Sequence, residues 1–312
     1  MTLALEAVDG IGEIEPGDDI AALVVEHATL ADDDVVVITS KIVSKAAGLA
    51  TTDKERLVDE QTDRVVATRG DTRIVRTHHG LTQAAAGVDG SNVASGTYLP
   101  LPPDPDASAR SIRAGIRQLS GKRVAVVISD TAGRAWRLGQ TDIAIGCAGL
   151  VPIEPFVGRE DAYGNPLVVT APAVADEVAA AAELASGKLG RRPVVIVRGL
   201  AEGLVTDDDG PGAASLIRPE SEDLFGLGSR EAVVAAVSGS PSVPRGFPES
   251  DTTVQDLIEL ADVPNGMTVT FEGTSGQISA DSEGLVAAGE LRQRLLALAR
   301  AHGLEITVDV TH

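Results

Sequence analysis

Aromatic residues are nearly missing from this chain: they make up 2% of its 312 residues, against 43% hydrophobic residues overall. A core must therefore be built from Val, Ile, Leu and Ala, as in α/β proteins, and base stacking on aromatic platforms is a poor candidate for recognition. Cysteine is reduced to Cys147. That excludes an intrachain disulfide and a cysteine-based zinc cage, and leaves a small core hydrophobe. Every longer apolar run is broken by charge before it reaches spanning length, and the opening MTLALEAVDG has neither the basic start nor the apolar stretch of a secretion signal. The expectation is a cytoplasmic protein that enters no membrane.

Positive charge is scarce as well. The formal net charge is -20, and among the 26 basic residues only Lys41, Lys45, Lys54, Lys122 and Lys188 are lysines. Such a surface repels a phosphate backbone and disfavours a nucleic-acid binder. An anionic nucleotide would need a local exception, made by a metal ion or by a few placed cations. The Gly-rich phosphate loop ending in Gly-Lys-Ser/Thr is absent, since Gly187 and Lys188 precede Leu189, and no dinucleotide fingerprint stands in its proper context. An ordinary kinase or dehydrogenase is disfavoured on that ground.

What is present reads as α/β, with room for two domains or one domain and an appendage. Residues 17–29 predict a helix capped by Asp18 or Asp19, and VVVIT at 35–39 a buried strand running into Ser40 and Lys41. The strand RIVRT at 72–76 leads to AAGVDGSNV, which puts Asp89 and Asn92 on a Gly-punctuated turn. After a Pro-rich connector, a helix over 106–119 turns Ile112, Ile116 and Leu119 inward and Arg110, Arg113 and Arg117 to a solvated row. The strand VAVVIS at 124–129 ends in Asp130, Thr131 and Gly133, and a helix over 172–186 leads through SGKLG to a strand at 194–197. Strand ends of this kind are where α/β folds place chemistry. The Ser, Pro and Gly of 238–252 read as a linker, dividing a domain over 1–237 from a small acidic α+β domain over 253–312.

Asp89 and Asp130 offer carboxylate oxygens on Gly-flanked turns, which suit a hard cation shared with phosphate oxygens; the same residues serve equally as Asx-turns. Lys41 and Lys45 follow a buried strand, and an extended backbone would place both ammonium groups on one side, ready for phosphate or simply for solvent. Of the adjacent His78 and His79, strand alternation lets at most one line a site. Trp136 fits either a buried anchor or a pocket wall.

Taken in order, GIGEIEPGDDI, VVVITSKIVSKAAG, LTQAAAGVDGSNV, LPPDPDASA, VAVVISDTAGRAWRLGQTDIAIG, GREDAYGNPL, VADEVAAAAELASGK and PVVIVRG resemble the coenzyme F420-0:L-glutamate ligase (gamma-glutamyl ligase) family over about residues 5–235. The run LIRPESEDLFGLG is similar to the actinobacterial branch, whose members fuse this ligase to a flavin-binding nitroreductase-like domain. The resemblance implies a two-part mixed α/β ligase fold, neither Rossmann nor P-loop, in a homodimer. It implies that Ile11, Gly12, Glu13, Ile14, Ser40, Lys41, Lys45, Asn92 and the loop of Ser186, Gly187 and Lys188 contact GTP. It further implies that Asp89 and Asp130 hold one divalent ion and Thr131 a second, the ions being Mg2+ or Mn2+, with K+ a further candidate. Some relatives carry an acidic or amide ligand where this chain has Lys188. The implied reaction joins L-glutamate to coenzyme F420-0 by way of an acyl phosphate made from GTP, with Lys41 and Lys45 supplementing the metals. Two other readings use the same residues: a metal-dependent GTP or phosphate hydrolase, with water in place of the amine, and a non-catalytic acidic binding module.

Overall fold

The structure, a computed structural model, describes residues 2–219, 222–223, 225–239, 250–281 and 284–311. The chain forms two compact units, Met1–Ile217 and Arg218–His312. Helix α6 (Ser229–Ser238), inside the expected 1–237 domain, packs with the second unit, and most of the expected linker, residues 240–249, lies outside the described residues.

The first unit runs β1 (Ala4–Ala7), α1 (Ile20–His27), β2 (Val35–Thr39), α2 (Ser40–Ala46), α3 (Lys54–Gln61), β3 (Thr62–Arg69), β4 (Thr72–Thr77), β5 (Thr82–Ala84), α4 (Pro105–Ser120), β6 (Ala125–Gly133), β7 (Gln140–Ala148), α5 (Val174–Ser186) and β8 (Val194–Arg198). Its main sheet has the order β1-β8-β2-β6-β7, with β2 and β6 parallel and every other pair antiparallel. One parallel pair is no doubly wound Rossmann sheet. Alternation along the strands sorts the core into two layers. Val36, Ile38, Val126 and Ile128 pack with Val24 of α1 and Ile112 and Ile116 of α4, whereas Val35, Val37, Ala125 and Val127 pack with Val178, Ala179 and Ala182 of α5. Burying each such Val or Ile side chain contributes about 1.5–3 kcal/mol. Gly115 lets α1 and α4 come close, because an added Cβ would lie 2.7 Å from the Ala21 methyl. A smaller antiparallel sheet, β3-β4-β5, carries its own cluster of Leu57, Val58, Val75, Ala86 and Val88.

Helix α4 departs from the expected division of faces. Its buried residues are Pro105, Ala109, Ile112, Arg113 and Ile116, while Leu119 is 53% exposed. Arg113 is buried because each of its guanidinium nitrogens has an acceptor. Nε donates to the Val124 carbonyl at 2.9 Å, Nη1 to Asp209 Oδ1 at 2.6 Å, and Nη2 to the Thr206 and Asp207 carbonyls at 2.6 and 3.1 Å. It ties the first unit's last loop to the sheet.

The second unit adds α7 (Val254–Leu260), β9 (Thr268–Glu272), β10 (Ser275–Ser279), α8 (Leu285–Ala301) and β11 (Thr307–Thr311). This is the expected helix, two strands, helix and strand. The sheet order is β11-β10-β9, and Leu291, Leu295 and Ala299 of α8 pack on Ile278 and Val308. Among the described residues no helix is long and apolar enough to cross a membrane.

Candidate functional site

A cleft of about 970 Å³ opens in the first unit at the carboxyl ends of β2 and β6, where parallel strands direct their ends toward ligands. Its lining includes the loop Gly10–Glu15, Lys41 and Lys45 of α2, Asn92, Ser129 and Thr131 of β6, Asp142 of β7, and Ser186, Gly187, Lys188, Arg191 and Arg192 between α5 and β8. Three of the chain's five lysines therefore meet in one place.

Residues 40–46 are helical, not extended. Ile42, Val43 and Ser44 are buried, so packing overrides the extended preference of the β-branched pair. The two lysines still share a side, since residues four apart are neighbours on a helix. Lys45 Nζ bonds Glu13 Oε1 and donates to the Asn92 carbonyl at 2.9 Å, while Arg191 approaches the other Glu13 oxygen at 3.4 Å. The bond from Lys45, with the charges of Lys45 and Arg191, holds the Glu13 carboxyl below the usual carboxylate range. Ile11 and Ile14 turn their side chains into the core, which leaves Gly12 and Glu13 as the exposed part of the loop.

Lys41 reaches from the cleft to Asp89, with Nζ 2.7 Å from Oδ2. Asp89 also accepts from the Ser91 amide at 2.6 Å and the Ser91 hydroxyl at 3.0 Å, so it is an Asx-turn and an ion-pair partner at once. Burial pushes its carboxyl up, but the bonds from Lys41 and Ser91 outweigh burial and leave it lowered. Asp130 is on no turn: β6 continues through Gly133 because its residues pair with β7, Asp130 opposite Ile143 and Thr131 opposite Asp142. The Asp130 side chain is 5% exposed and accepts from the Ser40 hydroxyl at 3.0 Å. Burial pushes its pKa up to about 6, opposed by Lys41 and Ser40 and reinforced by the carboxylates of Asp142 and Asp89.

Ser129 and Thr131 stand on the face of β6 opposite to Asp130 and donate to the two oxygens of Asp142, at 2.9 and 2.8 Å. Asp142, Ser129 and Arg191 are site residues that the sequence reading did not single out. The only signal for Asp142 is its cross-strand register, which a sequence without a known hairpin does not reveal.

Asp89 and Asp130 stand outside the cleft's lining, joined to it through Lys41, and offer carboxylates that suit a hard cation. Asp130 is a buried carboxylate with a single hydroxyl donor, the charge of Lys41 and two like charges nearby, and a further positive ion would favour its ionised form. Among the described residues no three His, Cys, Asp or Glu side chains form a cage. An ion here would draw on Asp89 and Asp130, and a second, on the other face of β6, on the hydroxyl of Thr131, each completed by ligand or water oxygens.

Two other expectations are corrected. Trp136 is 83% exposed in the loop between β6 and β7, so it is no buried anchor, and it does not line the cleft. His78 and His79 sit in a turn after β4, not in a strand, so both line a separate cavity of about 540 Å³ with Arg56 and Glu60. Their Nε2 atoms bond the carbonyls of Glu60 and Pro102 at 3.1 and 3.0 Å.

The family model for F420-0:Gamma-glutamyl ligase matches residues 10–56 and 50–199, a span that holds nearly the whole cleft. A protein of Methanothermobacter thermautotrophicus named coenzyme F420:L-glutamate ligase is 37% identical over 252 residues, covering 72% of this chain and 99% of the relative. The Haloarcula marismortui protein of the same name is also 37% identical, over 72% of this chain and 96% of its own length. A third, from Methanopyrus kandleri, is 36% identical over 72% of this chain and 98% of its own. With the family model spanning most of the first unit and full-length relatives above a third identical, the chain belongs to the F420-0:gamma-glutamyl ligase family.

Proposed function

We propose that this chain is a carbon-nitrogen ligase that joins L-glutamate to coenzyme F420-0 with GTP as the energy source, working as a homodimer. The observation that carries this reading is the cleft, where Lys41, Lys45, Lys188, Arg191 and Arg192 face Asp142 and Thr131 in a chain of net charge -20. A local cationic wall in an acidic protein focuses an anionic ligand there. A volume of about 970 Å³ holds a nucleotide with part of a second substrate.

In this reading the loop Ile11 to Ile14, Ser40, Asn92 and the Ser186 to Lys188 loop seat the GTP, and Lys41 and Lys45 neutralise its phosphates. To do so, Lys45 and Arg191 exchange Glu13 for phosphate oxygens. Asp89 and Asp130 would hold one Mg2+ or Mn2+ ion and Thr131 a second, with Lys188 contacting phosphate directly. Divalent ions supply charge neutralisation for a transferring phosphoryl group. A substrate carboxylate oxygen attacks the γ-phosphorus, the bond to the bridging oxygen breaks, and GDP leaves. The glutamate amine then attacks the acyl carbon, a C–N bond forms, the C–O bond breaks, and phosphate departs as the amine loses its proton.

The test is incubation with F420-0, L-glutamate, GTP and Mn2+, with mass spectrometry of the deazaflavin and a phosphate assay run together. The expected result is a gain of one glutamyl residue in step with GDP and phosphate, abolished by chelator. Phosphate released at the same rate without glutamate, and no mass gain, would replace the ligase with a hydrolase. Binding of these ligands without turnover would leave a binding module.

A further inference from the structure

The proposed reading gives Thr131 a cation but assigns nothing to Asp142. We infer that Asp142 is a positioning residue that fixes the hydroxyls of Ser129 and Thr131 as acceptors toward the cleft, and so makes Thr131 competent to hold a divalent cation. This inference rests on the metal reading above.

The argument begins with strand geometry. Ser129 and Thr131 are two apart on β6 and face the same way; Asp142 lies directly opposite Thr131 across the β6–β7 pair and diagonal to Ser129. Ser129 Oγ donates to Asp142 Oδ2 at 2.9 Å and Thr131 Oγ1 to Asp142 Oδ1 at 2.8 Å. A hydroxyl has one proton and two lone pairs. With each proton held by a separate oxygen of one carboxylate, both hydroxyls have only lone pairs left, and all three side chains line the cleft. Asp142 is 9% exposed and Ser129 3%, so water cannot easily reorient the set.

A neutral hydroxyl free to rotate would present its proton to an incoming cation about as readily as its lone pairs. A carboxylate behind it removes that choice and adds negative charge. Outer partners of this kind typically change metal affinity about 10-fold to 100-fold when removed. Asparagine cannot substitute, although it matches in shape. It has one acceptor oxygen, and its NH2 would take a lone pair of one hydroxyl and turn that hydroxyl's proton to the cleft.

The probe is Mn2+ itself, titrated into the full chain by calorimetry and by the paramagnetic signal of free Mn2+, with and without a non-hydrolysable GTP analogue. Asp142→Asn should weaken one class of Mn2+ site by about 10-fold or more, leaving the chelator-treated melting curve cooperative. Thr131→Val should lose the same class and Thr131→Ser retain it. In a Thr131→Val background, Asp142→Asn should have little further effect, because Asp142 acts through that hydroxyl. Unchanged Mn2+ affinity in Asp142→Asn, or full affinity in Thr131→Val, overturns the inference while leaving the ligase reading and the assignment of the first ion standing. A wild type that takes up no Mn2+ under either condition overturns the metal reading and this inference together.

Discussion

Asp130→Asn should change how stability responds to pH as well as remove a cation ligand. The Asp130 pKa is pushed up to about 6, chiefly by burial, from the ordinary aspartate value of 3.8. A carboxyl whose folded pKa lies above its unfolded one holds its proton longer in the native state. Stability therefore falls as pH rises between the two values and is level above both. About two pKa units correspond to about 3 kcal/mol in full, of which about 2 kcal/mol falls between about pH 4.5 and pH 7.5. The asparagine carries no such dependence. Its own packing penalty, with an amide NH2 in place of an oxygen, is the same at every pH and cancels from the comparison. Urea unfolding of wild type and variant in chelator, at both pH values, should show the variant gaining about 2 kcal/mol relative to wild type on going to the higher pH. Addition of Mn2+ at the higher pH should stabilise the wild type more than the variant, which keeps only the site at Thr131, since a ligand that binds only the folded state shifts the equilibrium toward it. A variant-minus-wild-type difference that stays constant with pH would refute the reasoning, because Asp130 would then ionise as freely in the fold as in the unfolded chain.

Asp89→Asn should reduce amide formation at least about 100-fold even at saturating Mn2+, because it loses a ligand charge at nearly constant shape; near wild-type turnover in the glutamyl-transfer assay would remove Asp89 from the site. Lys45→Gln should raise the KM for GTP about 10-fold, an effect that shrinks in high salt, as expected for a charge-assisted contact; an unchanged KM would leave Lys45 as the partner of Glu13 alone. Arg113→Ala should destabilise the first unit by about 2–4 kcal/mol in urea melts, since it leaves a carboxylate and buried carbonyls without their donor. A chain ending at Ile217 should stay soluble and active, whereas one ending at Gly239 should aggregate. The latter keeps α6 with its buried Ala235 but lacks α8, on which that helix packs and whose Arg300 donates to the Ala236 and Val237 carbonyls; insolubility of the shorter chain would show that the first unit needs the second.

Periodicity carried most of the fold. The strands at 35–39 and 194–197, the helix capped by Asp19 and the element order of the second unit all have unbroken patterns, and each forms where its pattern lies. The errors sit where tertiary contacts decide. SKIVSKA has two β-branched residues in a row and reads as extended, yet it is helical because burial of Ile42 and Val43 outweighs a propensity difference of well under about 1 kcal/mol per residue. Arg113 reads as solvent-facing, yet it is buried because Thr206, Asp207 and Asp209, nearly a hundred positions away, supply its acceptors. No local window contains both ends of such a contact.

The cleft shows the same division between what is local and what is not. Lys41 and Lys45 could be chosen because lysine is rare and the pair follows a buried strand, and Asp89 and Asn92 because glycine marks their turn. Asp142 carries no such mark. Its role comes from lying across the sheet from Thr131, and that register depends on the irregularity between Ile128 and Ser129, where β6 and β7 shift. Without the shift, period-two alternation would bring a different β7 residue opposite Thr131, and Asp142 would turn its carboxylate to the other face, toward Asp130. Two carboxylates would then crowd one side, and the hydroxyls of Ser129 and Thr131 would be free to turn their protons into the cleft. The irregularity thus distributes the acids over both faces of β6, Asp130 offering an ionisable oxygen on one and Asp142 orienting hydroxyl lone pairs toward the cleft on the other.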